Sequence, residues 1–284
     1  MTAVNAACTA AVLLTLTSLA PRPVQAQSAS DLTIAVIRGA VLQPIAHYDG
    51  ASWRAPAASA SWPREWLAWF SGAPGSRRLS ASAPTPSSEC AAPATLRMSS
   101  AASLDRPALA TSSPAMVSLV HAVPRGAREW NAAASAAAPL FEKRANQNGL
   151  SGPVLARVPV AIDALTASNS GAPVFYLEAS KRIVDAGTTP LEDPKGVVRL
   201  AIAGWFRADG QRLVPAATKA ELHWEPADDR GVATPVLSPI AIVRQPGRDV
   251  WVMMTAVPGR TSYVLYAVTA SAVRVLVTTD EARC

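Results

Sequence analysis

Cysteine, histidine, lysine and long apolar runs are all scarce in this chain. Of its 284 residues only three are cysteine, three are histidine and four are lysine, and 16% carry charge. So few cysteines exclude a disulfide-stapled miniprotein. The one apolar run, residues 10–20, leaves no second stretch long enough to cross a bilayer as a helix, which excludes a multi-span membrane protein.

Sequence signatures of catalysis and of nucleotide binding are also missing. Zinc-binding His and Cys spacings, a phosphate-binding loop and a dinucleotide fingerprint do not occur. The stretch 149–152, Gly-Leu-Ser-Gly, is one residue short of a nucleophile elbow, so only a triad assembled from distant residues stays open. Basic residues are scattered and not interleaved with aromatics, which argues against a nucleic-acid partner. We therefore expect no cofactor.

The first 26 residues have the pattern of a secretory signal peptide. The apolar run is followed by a polar, proline-broken end with small residues at Val24-Gln25-Ala26, although no Lys or Arg precedes the run. We expect cleavage after Ala26 and export to the periplasm or the medium, with no transmembrane segment in the mature chain. Two cysteines then remain, Cys90 and Cys284. In an oxidising compartment they either form one disulfide or stay free, and spacing alone does not decide between these states.

The remaining chain divides into three parts. Residues 27–70 predict a β-hairpin, with strands at 32–38 and 41–48, and then a short helix, because Trp62, Trp66 and Trp69 are spaced i, i+4 and i+7. Residues 71–115 contain 11 alanines and 11 serines and few large apolar residues, which predicts a flexible segment or insertion. Residues 116–284 form the main β-rich domain, which we expect to share one core with residues 27–70.

Within the main domain the pattern is first helical and then extended. Residues 116–123 predict a strand, and residues 125–148 predict a helix with Trp130, Ala134, Ala137 and Phe141 on one stripe, kinked or split at Pro139. Strand patterns follow at 174–181, 198–207, 220–225, 250–257, 262–269 and 272–278. Short connections favour antiparallel pairing. The predicted fold is mostly β, with antiparallel sheets in a sandwich or meander and one or two short packed helices.

Two segments resemble each other in pattern. Residues 34–46 and 203–217 both contain an apolar strand, an arginine, a tight turn, a second apolar strand and a proline. The likeness indicates either a shared hairpin design or a repeated unit, and two copies are too few to establish an array.

The best candidate for chemistry is the strand at residues 220–225. Alternation places Glu221, His223 and Glu225 on one face, where two carboxylates flank an imidazole. Such a row binds a divalent cation or performs acid–base catalysis, and Glu178 is a further candidate acid. The alternative is the ordinary solvated face of an antiparallel strand.

These observations favour one function and leave a second open. Exported β scaffolds usually recognise partners through loops and exposed edges, so we expect a non-catalytic binding or structural module of the cell envelope or secreted fraction. Its partner would be an envelope polymer or another exported protein. The alternative is a secreted hydrolase acting on envelope glycans or peptides through Glu178, Glu221, His223 and Glu225.

Overall fold

The computed structural model describes residues 31–57, 62–70, 73, 75–82, 95–98, 108–147, 157–168, 173–184, 197–225, 236–257, 260–269 and 271–280. Within these ranges only the backbone is described at residues 183–184, 197–198, 219–225, 236, 256–257, 260 and 280. The predicted signal peptide at residues 1–26 lies outside these ranges, as do Cys90 and Cys284. No helix in the described ranges is both long and apolar enough to traverse a bilayer.

The described chain forms three antiparallel sheets and one helix, which confirms the predicted mostly-β fold. The first sheet contains β1 (Leu32–Arg38), β2 (Val41–Tyr48), β3 (Trp53–Arg54), β4 (Glu65–Trp69), β5 (Ser76–Ser80), β6 (Leu96–Arg97) and β7 (Ala108–Thr111). The helix-backed sheet contains β9 (His121–Ala122), β10 (Ala161–Ala167), β11 (Val174–Val184), β12 (Val197–Asp209) and β13 (Arg212–Glu225), with α1 (Arg128–Gln147). The central sheet contains β8 (Met116–Leu119), β14 (Val236–Gln245), β15 (Arg248–Val257), β16 (Arg260–Val268) and β17 (Val273–Asp280).

The central sheet is covered on both faces. Val250 and Val252 of β15 pack against the first sheet, whereas Trp251 and Met253 of the same strand pack against the helix-backed sheet. All four are fully buried. A strand buried on both sides needs an unbroken apolar run instead of alternation, which is what β15 has. The layers therefore run helix, helix-backed sheet, central sheet, first sheet.

Helix α1 presents small residues to its sheet. Ala133, Ala137, Phe141 and Ala145 are fully buried there, so the buried stripe contains Ala133 where the sequence predicted Ala134. The helix is continuous, so the predicted split at Pro139 is wrong. Pro139 has no N–H to donate to the carbonyl four residues earlier in the helix. Both Pro139 and that earlier residue are on the solvent-exposed side of the helix.

The predicted aromatic helix at residues 62–70 is also wrong, because residues 65–69 form β4. Burial there alternates with period two, with Trp66 and Ala68 buried and Glu65 exposed. Trp66 and Trp69 thus lie on different faces of a strand that pairs with β5 and β7. The spacing of the three tryptophans by three and four residues fits a helix. Pairing of β4 with β5 on one side and β7 on the other instead holds this segment in the extended conformation.

The segment at 71–115 that the sequence predicted to be flexible or an insertion is only partly described, and its described parts include β5, β6 and β7. β7 lies between β1 and β4 in the first sheet, and Ala81 bridges Met98 next to β6. Since β6 pairs with β2, the pairings close into a ring, which encloses a core of its own around Trp66. Ala81, Ala108 and Ala110 point into this narrow interior. The large side chains of this core come mostly from outside residues 71–115, at Ile37, Leu42 and Trp66, and the alanines pack against them.

The two similar segments both form hairpins. Gly39 and Gly210 occupy the turns with φ of +58° and +59°, a left-handed conformation that favours glycine. Each second strand has a β-bulge immediately after its proline, at Ile45 and at Ala216. The likeness is therefore a shared hairpin design with a proline-marked bulge.

Candidate functional site

Glu178 lies on β11 at the junction between the helix-backed and central sheets. Its Oε1 accepts a hydrogen bond from the hydroxyl of Tyr176 at 3.1 Å, and the backbone N–H of Leu237 on β14 also donates to it. Burial raises the pKa of Glu178 above its ordinary value, and the hydrogen bond from Tyr176 opposes this rise. These contacts tie two sheets together, which is a structural use of the carboxylate.

The other three predicted residues lie on β13 at known register positions. Glu221, His223 and Glu225 pair with Ala201, Arg199 and Val197 of β12, and Glu178 pairs with Ala203 of the same strand. Residues paired across a ladder share a face, so all four predicted residues belong to one face of the helix-backed sheet. Among the side chains that the structure describes, no three His, Cys, Asp or Glu residues are grouped to hold a metal ion.

A cavity of about 710 Å³ opens elsewhere, at one end of the first sheet. We call it the His47 pocket. Its walls come from the starts or ends of several strands and from the segments around β3 and before β4. The lining residues are Asp31, Thr33, His47, Arg54, Ala55, Pro56, Ala57, Trp62, Pro63, Ser112 and Ser113.

The floor of the His47 pocket is a hydrogen-bonded row across three strands. Thr33 of β1 pairs with His47 of β2, and its Oγ1 lies 3.1 Å from His47 Nδ1. On the other side, the N–H of Thr33 donates to Ser112 Oγ at 2.7 Å, and the N–H of Ser112 donates to the Thr33 carbonyl at 3.0 Å. A carboxylate oxygen of Asp31 lies 3.6 Å from the same Nδ1 of His47. These contacts fix both His47 and Ser112 before any ligand arrives.

Asp31, His47 and Ser112 are the residue types of a hydrolytic triad, but their arrangement differs from one. Catalysis requires the imidazole to hydrogen-bond the serine that it activates. Here Thr33 stands between them, and no hydrogen bond joins His47 to Ser112 in the described structure. The triad of distant residues that the sequence left open is therefore not assembled in this pocket.

The wall formed by β3 carries a balanced pair of charges. Asp49 accepts hydrogen bonds from the N–H groups of Ala51 and Ser52 at 2.9 and 2.8 Å, which closes the turn after β2. These bonds, with a smaller effect of the Arg54 guanidinium, lower the pKa of Asp49. Arg54 Nη2 lies 2.9 Å from Asp49 Oδ2, so a carboxylate already neutralises the arginine that reaches the pocket.

Trp62 supplies the aromatic surface of the His47 pocket. It is half-buried, and its Nε1 is shielded from solvent and has no hydrogen-bond partner in the described structure. Two other indoles nearby are satisfied: Trp66 donates to the Pro63 carbonyl at 2.9 Å, and Trp53 donates to Gln245 at 3.3 Å. Because this N–H is covered by protein, the part of Trp62 that is offered to the pocket is its ring.

A second cavity, of about 610 Å³, lies between the first half of α1 and the β12–β13 turn. Phe175 and Leu213 are buried beneath it, and Arg128 and Arg212 stand at its exposed rim. Arg128 is paired with its neighbour Glu129 at 3.2 Å. This cavity has an apolar floor and a polar rim, in contrast to the hydrogen-bonded floor of the His47 pocket.

Glu178 is not among the described residues that line either cavity, and the side chains of Glu221, His223 and Glu225 lie outside the described part of the structure. The described residues of the His47 pocket come from separated segments, at positions 31–33, 47–57, 62–63 and 112–113, and no local motif joins them. One weak signal existed, since Thr33 and His47 are polar residues within the mostly apolar strands of the predicted hairpin.

Comparisons with known proteins identify no relative. No family model matches the chain, and neither a curated protein nor a solved structure matches it. A functional assignment therefore rests on the geometry of the described residues and on the sequence.

Proposed function

We propose that this protein is an exported, non-catalytic binding module that holds a small polar ligand in the His47 pocket. The observation that carries the proposal is the pocket itself, a cavity of about 710 Å³ with a preformed polar floor and the half-buried Trp62 in its wall. Small-molecule sites are usually preformed clefts of this size with a few fixed polar groups. Export rests on the signal-peptide pattern of residues 1–26.

The test is a ligand screen by thermal unfolding and tryptophan fluorescence on the processed protein from a secreting host. The panel contains neutral and charged small molecules of envelope and medium. A ligand present at about 100 times its Kd stabilises the folded state by roughly 2.7 kcal/mol, which is easily measured as a rise in Tm.

Variants locate the binding site. Arg54→Ala and His47→Ala should remove the ligand-induced rise in Tm, whereas Arg274→Ala and His121→Ala, at exposed positions outside the pocket, should retain it. A rise that survives both pocket variants contradicts the proposal, and so does a panel in which no compound shifts the Tm.

The hydrolase is the second candidate, and two observations favour it. Glu178, Glu221, His223 and Glu225 share one sheet face by register, and burial raises the pKa of Glu178, as is common for a general acid. Release of soluble fragments from purified envelope glycan or peptide by the wild type, and its loss in Glu178→Gln, is the result that this candidate requires.

A further inference from the structure

We propose that two copies of this chain form a dimer by pairing the second halves of their β13 strands, residues 219–225. These residues are called the pairing segment below. The proposal goes beyond the proposed function and does not depend on a ligand in the His47 pocket. Three features support it: the place of β13 in its sheet, the regular backbone of its second half and the self-complementary sequence of the pairing segment.

β13 is a long strand at the edge of the helix-backed sheet. It contains 14 residues, and among the described residues β12 is the one strand that pairs with it. The opposite edge of the same sheet is β9, which has two residues. Many proteins prevent edge-to-edge association by keeping their edge strands short, and β13 lacks this protection. An edge of this length presents a row of backbone N–H and C=O groups with which another strand can pair.

The features that protect an edge strand are confined to the first half of β13. Pro215 lacks an N–H, and a β-bulge follows it at Ala216. Prolines and bulges both oppose the pairing of an edge with a further strand. From Ala217 to Glu225, β13 pairs with β12 residue by residue, with no further shift of register. The second half therefore presents another strand with a regular backbone.

Helix α1 runs obliquely across the sheet, away from this edge. Its first half borders the turn between β12 and β13. In its second half, the ring of Phe141 lies 5.8 Å from Nζ of Lys181 on β11. Lys181 belongs to the same cross-strand row as Leu200 and Leu222. At the level of the pairing segment the helix therefore lies over the inner strands and not over the edge.

The pairing segment is complementary to a second, antiparallel copy of itself. In a two-fold pairing centred on Leu222, Lys219 is opposite Glu225 and Glu221 is opposite His223. Each of these pairs occurs twice in the dimer. Cross-strand pairs of opposite charge stabilise a sheet, as do pairs of apolar residues such as the two copies of Leu222. A ladder of seven residues is about 24 Å long.

Neighbouring registers lack this match. A centre on Glu221 sets the two copies of that glutamate opposite each other, and a centre on His223 sets Glu221 opposite Glu225. Like charges directly opposite each other destabilise the pairing. A centre on residue 220 keeps one kind of charged pair, and a slip by one residue sets charged residues opposite apolar ones. The charges therefore select the register centred on Leu222.

The first experiment is sedimentation equilibrium of the purified full-length or processed protein. We expect a reversible monomer–dimer equilibrium between about 1 and 100 µM protein, as is typical of a small, transient interface. Lys219→Glu and Glu225→Lys each set like charges opposite each other at two places in the dimer, so each should weaken dimerisation about tenfold or more. The double variant exchanges the charges and should dimerise within about threefold of the wild type. Arg274→Glu, at an exposed position on β17, is the matched charge reversal and should leave the equilibrium unchanged.

The second experiment is disulfide cross-linking, in a chain whose native cysteines are replaced by serine. Residues directly opposite each other in an antiparallel ladder have Cα atoms about 4.5–5.5 Å apart, which is within the range of a disulfide. Leu222→Cys should therefore give a covalent dimer on oxidation. Ala220→Cys is the matched control, because its two copies would be about 14 Å apart in the same register, and it should stay monomeric under denaturing conditions.

Three results would overturn the dimer: a wild type that stays monomeric up to about 100 µM, a dimer that both single charge variants leave intact, or cross-linking of Ala220→Cys as efficient as that of Leu222→Cys. Far-ultraviolet circular dichroism checks that each variant folds. If a charge variant does not fold, the two cysteine variants decide, since they keep all the charges. Failure of the dimer would leave the proposed ligand site untouched, because the two surfaces share no residue.

Discussion

Gly204 provides the sharpest test of the packing of the helix-backed sheet. A Cβ atom added at this position of β12 would lie 2.3 Å from the carbonyl oxygen of Ala217 and 2.7 Å from the Cα of Thr218. Both are backbone atoms of the paired strand β13. Ordinary van der Waals contact begins at 3.4 Å, so the added Cβ would be more than 1 Å too close to the oxygen and about 0.7 Å too close to the Cα. Gly204→Ala must therefore separate the two strands beside the bulge at Ala216. Overpacking of this kind costs about 3 kcal/mol.

The assay is thermal and urea unfolding of the wild type, Gly204→Ala and Gly210→Ala. A loss of about 3 kcal/mol lowers Tm by roughly 6–12 °C in a domain of this size. Gly210 has φ of +59° but open space around its Cα, so alanine there meets only the left-handed backbone cost of about 1–2 kcal/mol. The reasoning is refuted if Gly204→Ala unfolds at the wild-type temperature or is less damaging than Gly210→Ala.

Three further predictions, the last with a paired control variant, test separate parts of the structure. Burial raises the pKa of Glu178 above 4.5, so the folded protein holds this proton more tightly than the unfolded chain does. The stability that Glu178 contributes is therefore complete below pH 4.5 and is lost as the pH rises through the pKa of the folded state. Glu178→Gln should therefore flatten the decline in the free energy of unfolding above pH 4.5, measured by urea unfolding; an unchanged slope contradicts this. Pro139→Ala should stabilise the exposed interior of α1 by about 1–3 kcal/mol, and an unaltered urea midpoint would oppose that view. Trp66→Ala should lower the free energy of unfolding by about 3–5 kcal/mol, because Trp66 is fully buried inside the ring of strands. Trp69→Ala should lower it clearly less, since Trp69 lies on the other face of β4. Equal losses would contradict the strand and agree with the helix that the sequence wrongly predicted.

Most strands after residue 174 were predictable because they carry their own local pattern, whereas β14 (Val236–Gln245) was missed. β11 alternates, β15 is a continuous apolar run, and short connections leave β14 to β17 few alternatives to a meander. The same holds for α1, where alanine spacing and Phe141 indicated the buried side within one residue. Local propensity and tertiary packing agree in these elements.

The first sheet was harder because its order depends on partners distant in sequence. Ala108 to Thr111 is a central, fully buried strand, yet alanine and threonine in that segment carry no strong local signal. The spacing of Trp66 from the other tryptophans was a strong pattern, but it had the period of a helix and not of a strand. In both places, pairing with β1, β4 or β5 outweighs the local preference.

The sequence predicted a site on β13 and missed the pocket for a related reason. Glu221, His223 and Glu225 form a row within six residues, so alternation alone brings them to one face. Asp31, His47, Trp62 and Ser112 span more than 80 positions and meet only when β1, β2 and β7 align. No spacing rule detects such a site without the sheet.

The central claim is that the His47 pocket is the ligand site. The most direct measurement is a crystal structure of the processed protein with the tightest-binding compound from the panel. We predict ligand density between Trp62, Asp31 and His47, with a polar ligand atom within hydrogen-bond distance of the pocket floor. Density over the β13 face that carries Glu221 and His223, with the pocket empty, would contradict it.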